Sequence, residues 1–141
     1  MSSYQLPESL YLQVARDANF QCGYCRAPQE VMPYRLEVGH LLPTSLDGGH
    51  ERHNLWLSCH KCNQVRSNRM KLTDPVAGEK VPVFNPRRDN WAEHCAWESG
   101  GIYIIGLTPC GRAMVDGLHL NDIYHVTARR TWILARKYPP K

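Results

Sequence analysis

The stretch "VGHLLPTSLDGGHERHNLWLSCHKCN", residues 38–63, decides how this chain is expected to fold. "LEVGHLL" (36–42) is a short apolar run with a β-branched residue, so it is predicted to be a strand. "PTSLDGGHERH" is rich in turn residues, and Gly48 and Gly49 are free to take positive φ angles there. "NLWLSC" is predicted to be the return strand, and residues 60–70 a short polar helix. The sequence therefore predicts a strand, a loop, a strand and a helix.

Two Cys-x-x-Cys pairs clamp the start and the end of this unit. In a reducing compartment, such pairs indicate a zinc site rather than disulfides. Four thiolates satisfy tetrahedral zinc, and each two-residue spacer lets both sulfurs of a pair face one ion. The predicted ligands of this structural zinc are Cys22, Cys25, Cys59 and Cys62. The alternative is two unrelated pairs of free thiols. The remaining cysteines, Cys95 and Cys110, are expected to be small buried hydrophobic residues.

Length and composition limit the class of protein. At 141 residues the chain has the size of one ordinary domain and can bury its own core. A hydrophobic content of 43% and a charged content of 21% are typical of a folded protein and argue against wholesale disorder. No apolar run approaches the roughly 20 residues that span a bilayer. The first residues, "MSSYQLPESL", lack the pattern of a signal peptide, so we expect a cytoplasmic protein without membrane contact.

The distribution of charge says more than the net value of +4. No acidic residue lies between Glu51 and Asp74, whereas several basic residues do. Such clusters attract a polyanion, although a solvated helix face gives the same pattern. The residues predicted to contact nucleic acid are Arg52, Lys61, Arg66 and Arg69. Four arginines of the C-terminal section are further predicted to help hold the substrate: Arg87, Arg88, Arg129 and Arg130.

The flanking segments complete an α+β fold. Residues 7–18 read as a helix because apolar residues recur at every fourth position after a proline in the first turn. Residues 71–80, "KLTDPVAGEK", have the composition of a linker. Beyond them, "IYIIGL" is a candidate buried strand, Thr108 a candidate N-cap before Pro109, and residues 122–138 a last helix. The predicted division is 1–71 and 72–141, with the second section packed on the first.

Several motifs of the finger and of the C-terminal section together resemble one family of enzymes. "CGYC", "VGHLLPTSLDGG" and "HNLWLSCHKCN" together resemble the HNH endonucleases whose finger is stapled by two Cys-x-x-Cys knuckles. "VFNPRRDNWAEHCAW" and "GLTPCGRA" are similar to the C-terminal extension of a bacterial subfamily of these proteins. The resemblance implies a zinc-stapled ββα-metal finger with an N-terminal helix and a small mixed α/β C-terminal section. It also implies metal-dependent hydrolysis of phosphodiester bonds in double-stranded DNA.

The resemblance assigns roles to particular residues. His40 matches the general base, which takes a proton from the attacking water. Asn54 matches the residue whose amide pins the loop and so orients the histidine. Asn63 matches a ligand of a catalytic Mg²⁺ or Mn²⁺, and Arg66 lies where relatives carry a basic residue near phosphate. Taken alone, each would pass for a structural residue, and His50, His53 and His60 are expected to be surface or loop residues.

Gly39 departs from the family pattern. Most relatives place an acidic residue or histidine immediately before the general base, as a second ligand of the catalytic metal. Three explanations remain open: a site with Asn63, waters and phosphate oxygens as ligands; a substitute carboxylate such as Glu37; or a finger that binds DNA without cutting it. In a regular strand Glu37 faces away from His40, so the second explanation is expected to need a bulge or a strand end.

The sequence thus predicts an HNH endonuclease with a structural Zn²⁺ and a catalytic Mg²⁺ or Mn²⁺. The first alternative is a zinc-dependent DNA-binding module without catalysis, and the second a protein-interaction scaffold with solvated basic faces. The oligomeric state stays open, with a homodimer as one option.

Overall fold

The computed structural model describes residues 5–140. No helix within this range is long and apolar enough to cross a membrane. The helices are α1 (Glu8–Asp17), α2 (His60–Arg66), α3 (Trp91–His94), α4 (Pro109–Gly117) and α5 (Ile123–Leu134). The strands are β1 (Glu37–His40), β2 (Leu55–Ser58), β3 (Lys71–Thr73), β4 (Lys80–Pro82), β5 (Cys95–Glu98) and β6 (Tyr103–Gly106). The α+β class predicted from the sequence is confirmed.

The predicted strand–loop–strand–helix unit is present as the β1–β2 hairpin and α2. Helix α2 is shorter than predicted, because the next residue, Ser67, takes a positive φ of 53°. The loop also differs in detail. Asp47 rather than a glycine takes the left-handed conformation, with φ of 67°. Gly48 is instead required by close approach, since a Cβ there would lie 1.7 Å from the carbonyl oxygen of Leu42.

The segment predicted to be a linker is a β-hairpin. Strands β3 and β4 pair antiparallel, with Leu72 opposite Val81. Leu72 is buried, and a Cβ at Gly117 of α4 would lie 3.2 Å from its side chain. Asp74 is also buried, and both of its carboxylate oxygens accept hydrogen bonds from Arg112, at 2.9 and 2.8 Å. These contacts with a distant helix order a segment whose local composition favours a loop.

Helix α4 begins as predicted. The Thr108 side chain accepts a hydrogen bond from the backbone N–H of Gly111, and Pro109 occupies the first turn. The candidate strand in "IYIIGL" is β6, which pairs with β5. Ile104, in the middle of β6, is fully buried.

Packing, rather than strand pairing, holds the two sections of the chain together. Each described sheet has two strands, and an isolated two-stranded sheet is at best marginally stable in water. One buried cluster spans both sections and includes Leu57, Cys62, Phe84, Trp91, Ile104 and Met114. The indole N–H of Trp91 donates to the carbonyl of Tyr24, and the hydroxyl of Tyr138 donates to the carbonyl of Cys25, both at 2.8 Å. The exact division at residue 71 stays a prediction.

The two Cys-x-x-Cys pairs converge on one buried point. Their sulfur atoms all lie within 4.8 Å of one another, and the four residues are Cys22, Cys25, Cys59 and Cys62. This donor set fits a structural zinc, because four thiolates complete a tetrahedral shell and leave no position for substrate. Cys59 also caps α2, since its sulfur accepts a hydrogen bond from the backbone N–H of Cys62. The cluster therefore fixes where α2 begins relative to the N-terminal knuckle.

Replacing one of these ligands should unfold the finger. Zinc binding contributes on the order of 10 kcal/mol to the folding of small zinc domains, far more than a short hairpin contributes. We expect Cys59→Ser to lose its zinc, measured as metal content per chain, and to melt well below the wild type. The part-buried Cys110→Ser is the matched control and should keep its zinc. A Cys59→Ser protein with full zinc content and an unchanged melting temperature would contradict the assignment.

The pair of Asp74 and Arg112 should give the fold an acid-sensitive contribution. Hydrogen bonds from Arg112 lower the pKa of the Asp74 carboxyl to about 2. An unfolded aspartate titrates near about 3.9, so this stabilisation is complete above about pH 4 and is lost as the pH falls through about 2. We expect Asp74→Asn to be less stable than wild type in urea titrations at pH 7, with the difference shrinking below pH 4.

Comparing the two proteins at each pH removes the acid sensitivity of the zinc thiolates, which they share. The exposed Asp116 of α4 offers a matched control, and Asp116→Asn should stay close to wild type. A stability difference for Asp74→Asn that is the same at pH 3 and pH 7 would refute the linkage.

Candidate active site

His40 is the last residue of β1 and lies opposite Leu55 of β2. Its ring is half-buried, and its Nε2 lies 2.8 Å from Nδ1 of His50. The ring centroids are 5.0 Å apart at an interplanar angle of 74°. Burial lowers the pKa of His40, and the neighbouring His50 lowers it further. The imidazole is therefore neutral at neutral pH and can accept a proton.

Asn54 precedes β2 and is buried, and its side-chain amide forms hydrogen bonds with the loop. Its Oδ1 accepts a hydrogen bond from the N–H of Leu42 at 2.8 Å. Its Nδ2 donates to the carbonyl of Leu42 at 3.0 Å and to that of Gly49 at 2.9 Å. The backbone adds a bond from the N–H of Leu41 to the carbonyl of Asn54. The amide thus ties both ends of the loop between His40 and His50 to the start of β2.

Asn63 of α2 approaches β1 at Gly39. A Cβ at Gly39 would lie 2.8 Å from Oδ1 of Asn63 and 3.7 Å from Oγ of Ser58. A contact of 2.8 Å is closer than real Cβ atoms allow, so a side chain at position 39 would displace the amide of Asn63. The missing side chain is therefore what lets Asn63 lie directly against the strand.

Glu37 takes up the space beside Asn63. Its Oε1 accepts a hydrogen bond from Nδ2 of Asn63 at 3.0 Å, and its Oε2 lies 2.5 Å from Nδ1 of His60. Glu37 and Gly39 are two residues apart on β1, so their side-chain positions share one face of the hairpin. Glu37 faces away from His40, as expected, and it is the first residue of β1. It contacts Asn63 because Asn63 lies against the same face of the hairpin.

Ser58 belongs to the same face, as the cross-strand partner of Glu37. It is buried, and its hydroxyl oxygen has no hydrogen-bond partner among the described residues. Buried hydroxyls usually form a hydrogen bond, so the oxygen of Ser58 is available to form one. The face therefore presents a carboxylate, an amide and an unpaired hydroxyl around Gly39.

The side chain of His40 lies on one face of β1, whereas Asn63 of α2 contacts the other face at Gly39, and no hydrogen bond between the two side chains is found within residues 5–140. Arg66, on the same helix as Asn63, contacts the backbone at His40. Its guanidinium donates to the carbonyl of His40 at 2.6 Å and to that of Leu41 at 2.7 Å. Arg66 is only 4% exposed, which does not fit the phosphate contact predicted from the sequence. Its position instead fixes the end of β1 against α2.

Lys61 also has a structural position. Its ammonium donates to the carbonyls of Leu118 and His119 and forms an ion pair with Asp122 at 3.2 Å. These contacts join α2 to the segment that connects α4 and α5. A lysine held by so many acceptors does not fit the predicted role in binding nucleic acid.

Arg52 and Arg69 are exposed but have partners in the fold. Arg52 forms a bidentate ion pair with Asp17, at 2.9 and 2.7 Å. Hydrogen bonds from Arg52 and then from Arg87 hold the pKa of Asp17 well below its usual range. Arg69 donates to the carbonyls of Val65 and Gly117. Nucleic-acid contacts by these two arginines stay predictions.

The arginines of the C-terminal section divide in the same way. Arg129 is 1% exposed and donates to the carbonyl of Ile102 and to Oδ1 of Asn121, so it does not fit a substrate contact. Arg87 is held by Asp17 and the carbonyl of Leu55. Arg88 pairs with Asp89 at the surface, and Arg130 is exposed.

A second group of metal-type ligands lies in the C-terminal section, formed by Asp89, His94 and Cys110. Two of its members, Asp89 and His94, have hydrogen-bond partners in the fold. The two oxygens of Asp89 accept hydrogen bonds from Arg88 and from the backbone N–H of Asn85. Nδ1 of His94 lies 2.6 Å from Oγ1 of Thr108, the N-cap of α4. The described contacts explain this group as part of the support of α4.

His50 lies in a loop and His60 is exposed, as expected from the sequence, and the structure also brings these residues to His40 and Glu37. Nothing in the local sequence marks His50, because its partner lies ten residues away across the loop. Glu37 carried a usable signal, since the residue two positions before Gly39 must share its face in a regular strand.

Comparisons with known proteins give a family match for part of the chain. Residues 22–69 match the family model of the HNH endonucleases. The Septu protein PtuB of Bacillus mycoides (strain KBAB4) is 28% identical over 109 residues, a match that covers 60% of this chain. The match covers 37% of that relative's length. No solved structure matches the chain significantly. The chain therefore carries an HNH endonuclease-family domain at residues 22–69.

Proposed function

We propose that this chain is a divalent-metal-dependent endonuclease that hydrolyses phosphodiester bonds in double-stranded DNA. The observation that carries the proposal is the contact of the Glu37 carboxylate with the amide of Asn63, at the point where Asn63 lies against Gly39. It supplies the acidic group that the residue before His40 lacks. The alternative of a DNA-binding module without catalysis rested on that missing group.

The donor set fits a small, hard cation. Mg²⁺ prefers oxygen ligands, keeps several of its waters and needs only one or two carboxylates from the protein. Glu37 and Asn63 would offer one carboxylate and one amide oxygen, and the unpaired hydroxyl of Ser58 is suited to hold a bound water. A cation bound there would neutralise charge on the phosphate and stabilise the departing 3′ oxygen. His60, 2.5 Å from Glu37, would orient the carboxylate.

His40 would act as the general base. Its lowered pKa keeps the imidazole able to accept a proton from water at neutral pH. Asn54 holds the loop that follows His40, and Arg66 holds the carbonyl of His40 itself. These bonds fix the backbone of His40. The imidazole is therefore already in place before the substrate binds, which lowers the entropic cost of the reaction.

The first test is cleavage of supercoiled plasmid by the wild type and by His40→Ala, with Mg²⁺, Mn²⁺ or EDTA. We expect metal-dependent cutting by the wild type and a loss of at least about 100-fold in rate for His40→Ala, as is usual when a general base is removed. The exposed His53 gives a matched control, and His53→Ala should cut at close to the wild-type rate.

If neither protein cuts with either metal while both still bind the plasmid, the proposal fails and the binding-module alternative takes its place. Binding that weakens steeply with added salt would exclude the scaffold alternative, because release of counterions from DNA makes such binding salt-dependent.

The role of Glu37 can be tested without cleavage. Mn²⁺ binding to the zinc-loaded chain, followed by electron paramagnetic resonance, should weaken about 10-fold or more in Glu37→Gln, because the variant loses a charged oxygen ligand and keeps its size. Glu79→Gln, on the exposed turn between β3 and β4, is the matched control and should bind like wild type. Equal Mn²⁺ affinity in Glu37→Gln and wild type would favour a site built on Asn63, waters and phosphate oxygens.

A further inference from the structure

We infer that His50 is a positioning residue, which accepts a hydrogen bond from Nε2–H of His40 and thereby leaves Nδ1 of His40 as the proton acceptor. The inference deepens the proposed function and rests on it, because it concerns how the general base is held. Nε2 of His40 and Nδ1 of His50 are 2.8 Å apart, and the two rings meet edge-on. That distance is an ordinary hydrogen-bond length.

The backbone brings His50 to this place. Asn54 holds the carbonyl of Gly49, the residue before His50, at 2.9 Å. The same amide holds Leu42, two residues after His40, through both its N–H and its carbonyl. At Gly48 the loop passes so close to the carbonyl of Leu42 that no side chain fits. The pairing of the two histidines is therefore supported by the surrounding loop rather than by a chance rotamer.

The chemistry of a neutral imidazole decides the direction of the bond. Each neutral ring has one N–H and one lone pair. If His50 donated, the lone pair of His40 would be used on Nε2, its Nδ1 would carry the proton, and no lone pair would remain to accept a proton from water. If His40 donates from Nε2, its Nδ1 keeps the lone pair that a general base requires. Among neutral forms, only this second arrangement is compatible with the proposed function.

The same bond serves the base after proton transfer. When Nδ1 of His40 has accepted a proton from water, the ring is an imidazolium that still donates from Nε2 to His50. A hydrogen bond from a charged donor is shorter and stronger than one from a neutral donor. His50 would thus stabilise the charged form that appears during the reaction and hold the ring in one orientation throughout. This is a different task from that of Asn54, which acts on the backbone.

Two substitutions separate the loss of the acceptor from the loss of packing. His50→Gln keeps a side-chain oxygen that can accept from Nε2–H of His40, whereas His50→Leu fills similar space without an acceptor. Both variants are prepared as the full, zinc-loaded chain. Zinc content and circular dichroism establish that they fold. His53→Leu, at the neighbouring exposed histidine, is the matched control.

The first readout is the ring-nitrogen NMR of His40 at neutral pH, which is independent of activity. In the wild type, His53→Leu and His50→Gln we expect Nε2 to be protonated and Nδ1 unprotonated. In His50→Leu we expect a mixture of both tautomers. A wild-type His40 with its proton on Nδ1 would overturn the inference, as would a tautomer that is unchanged in His50→Leu.

The second readout is cleavage of duplex DNA with Mg²⁺. We expect kcat of His50→Leu to fall about 10- to 100-fold with little change in KM, as for other residues that orient a functional side chain. His50→Gln should recover most of this loss. Equal losses in His50→Leu and His50→Gln would indicate a packing role and would refute the inference. A wild type that does not cut refutes the proposed function and any catalytic task for His50. The NMR of the same sample then decides separately whether His50 orients His40.

Discussion

The convergence of four buried cysteines is the constraint on which the rest of the molecule depends. The hairpin between the knuckles has strands of four residues each, too little to hold itself together in water. Tying the N-terminal knuckle to the start of α2 sets the position of that helix, and with it the distance between Asn63 and β1. The candidate site therefore depends on the cysteine cluster, although a zinc ion held there would take no part in the proposed chemistry.

Helix α2 is held at both ends by basic residues that the sequence suggested for DNA contact. Lys61 binds carbonyl oxygens of the C-terminal section near the start of α2, and Arg66 binds the carbonyl of His40 at its end. Both residues donate to backbone carbonyls, and Lys61 also forms an ion pair with the carboxylate of Asp122. In a small domain, such bonds order several segments at once, and they leave Arg66 buried and Lys61 part-buried. The C-terminal section thus supports the finger through α2.

Gly39 changes meaning once the neighbours are known. In the sequence it marks the absence of a metal ligand. In the structure, the absence of a side chain at Gly39 allows the amide of Asn63 to lie against the strand. The carboxylate of Glu37, on the same face, accepts a hydrogen bond from that amide. A single position without a side chain is compatible with a site in which the acidic group has moved two residues along the same face. In the proposed site, the carboxylate would come from Glu37 rather than from position 39.

The sequence by itself determined the order of strand, loop, strand and helix and the four cysteines that converge, because these depend on local periodicity and fixed spacing. Its resemblance to the HNH endonucleases made His40, Asn54 and Asn63 the candidates for the site. It also located the N-cap at Thr108. It could not determine the hairpin of β3 and β4, because that segment is ordered by Arg112 and Gly117, far along the chain. Nor could it place His50 beside His40, or show that Lys61 and Arg66 donate to backbone carbonyls. Which charge meets which oxygen depends on how distant segments pack, and only the tertiary structure decides that.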